Sequence, residues 1–433
     1  MSKRARFFEE ETWALGVIGL GYVGLPLLVN AARQGLGAIG LDTSAALVSA
    51  LSGGKSHVDD ISDTDLRAAI DSGATFTTDV SDLGAADAIF ICVPSPLGRN
   101  REPDLSYIEA SARAIAEVAR PGQLIVLEST TYPGTTEDFI VPAVEKAGLV
   151  LDEDVWVAYS PERVSPGDEL KTSQIPKVVG GVTTASGEIA AAAYRRLVPS
   201  VHQVSSARVA EMSKLLENTY RAVNIGLINE VTQLSHELDI DVWEVIDAAA
   251  TKPFGFQAFY PGPGVGGHCI PLDPQYLAWS GRAANFATRF IETAEQINTQ
   301  MPTYVMQRAT DVLNAAGKSV QGSRILAIGI AYKPDISDDR ESASLRVARL
   351  LQARGAEVFV LDPHIAAERI REHGFDVHEG TEVGPESEYD LAVVLTDHSG
   401  LPYEAIARSV GSVFDTRGIY RRLGLDLPNV QLL

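Results

Sequence analysis

The sequence predicts an α/β protein: two Rossmann-like, doubly wound domains joined by a long central helix and a helical connector. Three observations predict it. Short apolar, β-branched runs alternate with helical patterns through the first half of the chain. Residues 207–238 then carry apolar side chains at helical spacing, with no proline and no glycine except Gly226. The strand–helix alternation resumes at Arg324. Alternation of this kind argues a parallel sheet with helices on both faces, because parallel neighbours need a crossover between them. At 433 residues the chain is long enough for two or three domains with real cores.

In order, the predicted strands of the first domain are 13–18, 38–41, 88–93, 124–127 and 155–159. Residues 13–32 hold no formal charge and follow Lys3, Arg4 and Arg6, which imitates a signal peptide or a spanning segment. Glu9, Glu10 and Glu11 spoil that flank, and Gly16, Gly19, Gly21, Gly24 and Pro26 make poor helix material. The expectation is a soluble, cytoplasmic chain with no membrane partner. The long helix from Ala207 leads to further helices as far as about Ala316, interrupted by a Gly/Pro-rich loop at 253–268. The second α/β pattern has a strand at 324–330, a helix from about Ser342 and a strand at 357–361 ending in Asp362, which echoes the strand 38–41 ending in Asp42. The expected domains are 1–206, 207–317 and 318–433.

Composition narrows the function classes. A net charge of −21 repels phosphate backbones, so nucleic acid is not an expected partner and any anionic ligand needs local cations or helix N-termini. Two cysteines make neither a disulfide framework nor a structural zinc site, and no metal is expected.

The first strand runs into Gly19-Leu20-Gly21-Tyr22-Val23-Gly24, a G-x-G-x-x-G between a strand and a helix. Gly19 suits the tight turn, Gly21 the approach of a pyrophosphate, and Gly24 close helix–sheet packing. Asp42 lies where a carboxylate can accept both ribose hydroxyls, would repel a 2′-phosphate, and has no arginine after it, so NAD is favoured over NADP. The bland alternative is an α/β domain whose glycines serve packing alone.

The two thiols differ in setting. Cys92 sits in the apolar run Ile89-Phe90-Ile91-Cys92-Val93 and reads as a small buried hydrophobe. Cys269 ends Phe259-Tyr260-Pro261-Gly262-Pro263-Gly264-Val265-Gly266-Gly267-His268-Cys269, whose glycines expose backbone N–H groups to a polar ligand. Pro271 and Asp273 look like a helix start, and a thiol ahead of a helix N-terminus has its thiolate stabilised. That suits a nucleophile; a turn with an incidental cysteine is the alternative. His268 is assigned no catalytic role, since adjacent residues of extended chain point apart. Lys214 and Asn218 share a helix face, which is either solvated or aimed together at an alkoxide or ordered water.

These residues together resemble the nucleotide-sugar 6-dehydrogenases, the UDP-glucose and UDP-N-acetylhexosamine dehydrogenases, over nearly the whole length. The resemblance rests on the glycine motif, Val93-Pro94-Ser95-Pro96, Glu128-Ser129-Thr130, Ser160-Pro161-Glu162-Arg163, Lys214 with Asn218, the segment from Gly264 to Asp273, and Ala331-Tyr332-Lys333-Pro334-Asp335 with Arg340-Glu341-Ser342. It implies a four-electron oxidation of a sugar C6 hydroxymethyl to a uronate with two NAD. Cys269 would carry thiohemiacetal and thioester intermediates, because an aldehyde has no second hydride to give until a nucleophile adds. By the same resemblance Lys214, Asn218, Asp273 and Thr130 surround the ordered water and the oxyanions, and Glu162 serves hydrolysis. Gly19, Gly21, Tyr22, Val23, Gly24, Asp42, Pro94, Ser95, Thr130 and Arg340 would hold NAD. Glu162, Arg163, Lys214, Asn218, Phe259, Tyr260, Gly264, Gly266, Tyr332 and Lys333 would meet the sugar nucleotide.

The helix from Ala207 resembles the family's dimer core, so a homodimer is the least assembly implied. Thr251-Lys252-Pro253-Phe254-Gly255-Phe256, the His268-Cys269 pair and Leu272-Asp273 resemble the bacterial UDP-N-acetylglucosamine branch; UDP-glucose and a thymidine-linked glucose are the alternatives. Ser95 departs from a more frequent threonine. Against the whole stand a β-hydroxyacid dehydrogenase, which needs no cysteine, and a silent NAD or sugar-nucleotide sensor, which would have lost Cys269 or Lys214.

Overall fold

Aliphatic runs bounded by glycine become the strands, and the amphipathic runs between them become covering helices. The computed structural model describes residues 2–58, 60–98, 101–163, 175–267, 270–384 and 388–433. The chain divides into two compact units, Met1–Glu217 with Gln275–Asn285, and Asn218–Pro274 with Phe286–Leu433.

The first unit is built on β1 (Ala14–Ile18), β2 (Gly37–Leu41), β3 (Thr75–Thr77), β4 (Ala88–Ile91), β5 (Gln123–Leu127), β6 (Val155–Tyr159), β7 (Lys177–Gly181) and β8 (Val201–Val204). Their order is β3-β2-β1-β4-β5-β6-β7-β8, so the chain winds outward from β1 and returns to β4 on its other side. The carboxyl ends of β1 and β4 therefore flank the crevice where doubly wound sheets bind ligands. Pairing is parallel through β6; β7 runs antiparallel to β6, an exception to the parallel sheet expected. One sheet face buries Leu15, Val17 and Phe90 under Leu25, Leu28 and Val29 of the helix Gly24–Arg33. The other buries Ile89, Ile91 and Ile125 under Ile108 and Ile115 of the helix Ser106–Val118. Each such aliphatic side chain contributes about 1.5–3 kcal/mol by leaving water.

The basic residues that imitate a signal flank belong to the helix Lys3–Glu10, which Ser2 caps by accepting from the Ala5 N–H at 3.1 Å and which buries Ala5 and Phe8. The uncharged stretch behind it is β1, the glycine turn and the helix Gly24–Arg33. Among the described residues no helix is long and apolar enough to cross a membrane.

The second unit carries β9 (Arg324–Ile328), β10 (Glu357–Leu361), β11 (Asp376–Val377), β12 (Leu391–Val394), β13 (Ser412–Asp415) and β14 (Val430–Leu432), all parallel, in the order β11-β10-β9-β12-β13-β14. Val347, Ala348 and Leu351 of the helix Ala343–Ala353 cover one face, and Tyr403, Ile406 and Tyr420 cover the other. The helix Ala207–Glu237 begins in the first unit and continues into the second.

Candidate active site

The glycine turn after β1 shows a separate reason for each glycine. Gly19 has φ +90°, and a Cβ there would lie 2.7 Å from the Cys92 carbonyl oxygen. A Cβ on Gly24 would lie 1.9 Å from the Gly19 carbonyl oxygen, so only glycine lets the helix start this close to the strand. A Cβ on Gly21 meets nothing within 4 Å, which leaves open space where a pyrophosphate can approach the backbone. No side chain caps the N-terminus of the helix Gly24–Arg33; the Leu25 N–H already meets the Gly21 carbonyl at 3.1 Å and Pro26 has no N–H, so the helix end offers phosphate the Gly24 N–H and its partial positive charge. Asp42, just past β2, is half-buried and is oriented by the Leu20 N–H at 3.1 Å and the Ser44 N–H at 2.9 Å. Tyr22 is exposed and Val23 half-buried. These residues fit NAD. Pro94 and Ser95 follow β4, and the Ser95 carbonyl accepts from the Tyr276 hydroxyl at 2.9 Å. The Ser129 hydroxyl donates to the Val93 carbonyl at 2.7 Å, which fixes half-buried Thr130 beside that segment.

The loop after Thr130 is fastened to the long helix. Buried Glu211 accepts from the Gly134 N–H at 2.5 Å, the Thr136 N–H at 2.9 Å and the Thr136 hydroxyl at 2.7 Å. Burial pushes its carboxyl up, against those donors. Lys214 follows one turn later at 6% exposure, and among the described residues no carboxylate pairs with it, which suits an ammonium reserved for an oxyanion. One further turn along, the Asn218 amide donates to Asp273, a buried residue that opens the helix Asp273–Ala283. Cys269 and His268 lie outside the described residues; in sequence Cys269 stands four residues before Asp273.

Glu162 follows β6 and is anchored on both oxygens. Its Oε1 accepts from the Arg163 N–H at 2.7 Å, and its Oε2 from Lys177 Nζ at 2.9 Å. Lys177 also donates to Glu128 at 2.9 Å, and the Tyr194 hydroxyl donates to the other oxygen of Glu128. Burial pushes the Glu128 carboxyl and the Tyr194 hydroxyl up; it works against the Lys177 ammonium, whose two carboxylates nevertheless hold it above its ordinary range. The Arg163 guanidinium pairs with Glu217 at 2.8 Å and donates to the Pro176 carbonyl at 2.9 Å. Cys92 is buried and its thiol is pushed far up by desolvation, as befits a packing residue.

In the second unit the glycine loop turns out to need its glycines for packing as well as for exposed N–H groups. A Cβ on Gly266 would lie 3.0 Å from the Glu341 carbonyl oxygen, and one on Gly267 2.8 Å from the Tyr332 ring. Gly264 has φ +130° and sits against Ala343. The loop thus lies on Tyr332, half-buried like Lys333 beside it, and on the start of the helix Ala343–Ala353. Phe259 packs edge-on to Tyr220, while exposed Tyr260 stacks on Trp243. Arg340 is exposed and its guanidinium is held by Asp338, with Nη2 to Oδ2 at 2.6 Å. Asp335 and Glu341 are left-handed, at φ 61° and 51°, a strain that marks the loops after β9.

Gly329 repeats Gly19: it has φ +78°, and a Cβ there would lie 2.4 Å from the Thr396 carbonyl oxygen. Asp362 repeats Asp42 but is spent internally. It accepts from the Ile330, Ala331, His364 and Ile365 N–H groups at 2.7–3.1 Å and from His398 Nε2 at 3.1 Å. Asp335, His364 and His398 bring three ligand-type atoms within 4.8 Å of one another. His398 Nδ1 already accepts the Asp335 N–H at 3.0 Å, however, so both of its ring nitrogens are committed.

Sequence reasoning passed over Lys177, Glu211 and His398. A lysine opening the otherwise apolar Lys177-Val178-Val179-Gly180-Gly181 was the available signal for the first; the others carry none.

Three family models match, all from the UDP-glucose/GDP-mannose dehydrogenase family: the NAD binding domain over 14–198, the central domain over 208–300 and the UDP binding domain over 326–422. The chain is 34% identical to UDP-N-acetyl-D-glucosamine 6-dehydrogenase of Pseudomonas aeruginosa, over 89% of this chain and 90% of that one. It is 35% identical to NDP-N-acetyl-D-galactosaminuronic acid dehydrogenase of Ralstonia nicotianae, over 94% and 96%. The solved structure of the UDP-D-ManNAc dehydrogenase from Pyrococcus horikoshii superposes with a TM-score of 0.83 at 31% identity, covering 94% of this chain and 96% of that one.

Proposed function

The chain belongs to the UDP-glucose/GDP-mannose dehydrogenase family, an NAD-dependent oxidoreductase by that membership, and on this premise we propose that it oxidises C6 of UDP-N-acetyl-D-glucosamine to the uronate. The observation that carries the reading is the bond from Asn218 to Asp273, with Lys214 one helical turn from Asn218 and Cys269 four residues before Asp273.

Residues 19–24, Asp42, Pro94 and Ser95, with Arg340 as a cation, would hold NAD, which when bound would supply a hydride acceptor. Lys214 and Asn218 stabilise the oxygen on C6 as charge develops there. Once C6 is an aldehyde, the Cys269 thiolate adds to it; after the second oxidation the sugar is held as a thioester. Glu162 takes a proton from the attacking water, the C–S bond breaks, and the uronate leaves with the thiol restored. Asp273 and Thr130 orient the water. The unit around β9 binds the nucleotide through Tyr332 and Lys333, while Phe259, Tyr260, Gly264, Gly266 and Arg163 shape the sugar end. The domains are 1–206 for NAD, 207–317 for connection and dimerisation, and 318–433 for the sugar nucleotide. The product class suits polysaccharide precursor synthesis.

An N-acetylhexosamine is supported by the names of the three relatives, which differ in the sugar, and by the segment 251–256 with Leu272-Asp273. A homodimer is supported by the apolar stripe Val209, Met212, Leu216, Tyr220, Leu227 and Leu234, each exposed on one face of the helix Ala207–Glu237.

The test is NADH formed per sugar consumed, run to completion with UDP-linked N-acetylglucosamine, N-acetylmannosamine, N-acetylgalactosamine and glucose, and with thymidine-diphosphoglucose. Two NADH per sugar, fastest with UDP-N-acetylglucosamine, is expected. One NADH per sugar would end the role given to Cys269.

A further inference from the structure

The reading of Glu162 as the base of the hydrolytic step leaves unexplained why a lysine and a second glutamate are buried behind it. Lys177 has a side chain only 10% exposed, and its ammonium is shared equally, 2.9 Å from Glu128 and 2.9 Å from Glu162. Glu128 is wholly buried and Glu162 is 17% exposed, so one end of this trio is closed and the other opens outward. Two carboxylates around one ammonium leave a net negative charge in a place where burying it is costly. A purely structural pair would need only one acid.

Among the described residues, groups from several elements face the trio. Tyr194 of the helix Thr184–Arg195 donates to Glu128, and its ring lies 5.6 Å from Lys177 Nζ. The Cys92 thiol, just past β4, is buried and pushed up by burial first and then by the charge of Glu128. On the open side Arg163 is tied to Glu217 of the long helix. Ser160 turns its hydroxyl onto the Val178 carbonyl at 2.8 Å.

We propose that Lys177 and Glu128 form a buried charge clamp for Glu162, in which Lys177 positions the carboxylate and Glu128, by competing for the same ammonium, keeps it able to accept a proton. Lys177 is thus a positioning residue, and Glu128 acts only through it. Held by an undivided ammonium, Glu162 would stay ionised to lower pH but be a weaker base; with no ammonium it would protonate too early. This rests on the role proposed above for Glu162.

The two halves of the clamp predict opposite shifts, which loss of packing would not produce. Uronate release in a single turnover is measured by rapid quench across pH, with two NADH per sugar confirmed for each variant. Lys177→Met should move the acidic limb of that rate to higher pH by about one unit, and Glu128→Gln should move it to lower pH by about half a unit to one unit. Lys177→Arg, which keeps the cation, should return the limb towards the wild-type position. Shifts in the same direction, or none, would overturn the clamp. Glu162→Gln separates that failure from failure of the underlying reading: if this variant keeps the acidic limb and releases uronate at the wild-type rate, Glu162 is not the base; if it loses the limb, the shifts judge the clamp alone.

Discussion

Asp362 shows how one carboxylate can hold a loop cluster together. Burial pushes its carboxyl up, but the His398 ring and the N–H groups of Ile330 and His364 outweigh burial and hold it below the usual range. A depressed folded value means that the stabilisation is complete above the unfolded value of about 3.9 and is lost as pH falls through the folded one. Asp362→Asn should therefore cost about 2 kcal/mol at neutral pH and leave a urea midpoint that falls less steeply than wild type below about pH 4. Equal steepness in the two proteins would show that other carboxylates carry the acid response. Among the described residues Asp42, at the matching strand end, is bonded to two N–H groups, which leaves the same residue type serving structure in one unit and able to meet a ligand in the other.

Among elements, the helix Ala207–Glu237 was the most legible, because an apolar period uninterrupted by proline leaves no other way to bury its face. Its fastening through Glu211 was not legible: the three donors lie some 75 residues away in sequence, on a loop whose shape no local pattern announces. Glu211→Ala strands those donors and should cost about 3 kcal/mol, seen as a fall of several degrees in Tm, with Glu211→Gln losing about half as much. An unchanged Tm for the alanine variant would mean that water replaces the carboxylate. β7 was missed because Lys177-Val178-Val179-Gly180-Gly181 mixes a charge and two glycines into five residues, and its reversed direction depends on a tertiary partner. The strands β1, β4, β5 and β6 were legible as buried, nearly unbroken apolar runs, and β2 and β10 as short apolar runs that each lead into an aspartate. The glycine loop at 262–267 was read as ligand-facing on composition alone; that Tyr332 and Glu341 press against it belongs to long-range packing, which composition does not contain.

For the whole molecule, the stripe from Val209 to Leu234 is an exposed apolar face of the long helix, and a second copy of the chain is its proposed cover. Leu216→Glu with Leu227→Glu puts like charges into that face and should halve the mass measured by light scattering, with the circular dichroism of the fold retained. A mass unchanged by both charges would place the interface elsewhere. The two sheets also differ in a way that bears on turnover. Each has a left-handed glycine tucked under a carbonyl just past a neighbouring strand, but the Asp362 carboxylate is closed from solvent and filled by four N–H groups and His398, while Asp42 meets two N–H groups. Among the described residues one chain thus offers a single seat for a dinucleotide, while the proposed chemistry draws on two. A spent carrier has to be exchanged for a fresh one at mid-reaction, and the covalent tether to Cys269 is what would keep the half-oxidised sugar from drifting away during the wait.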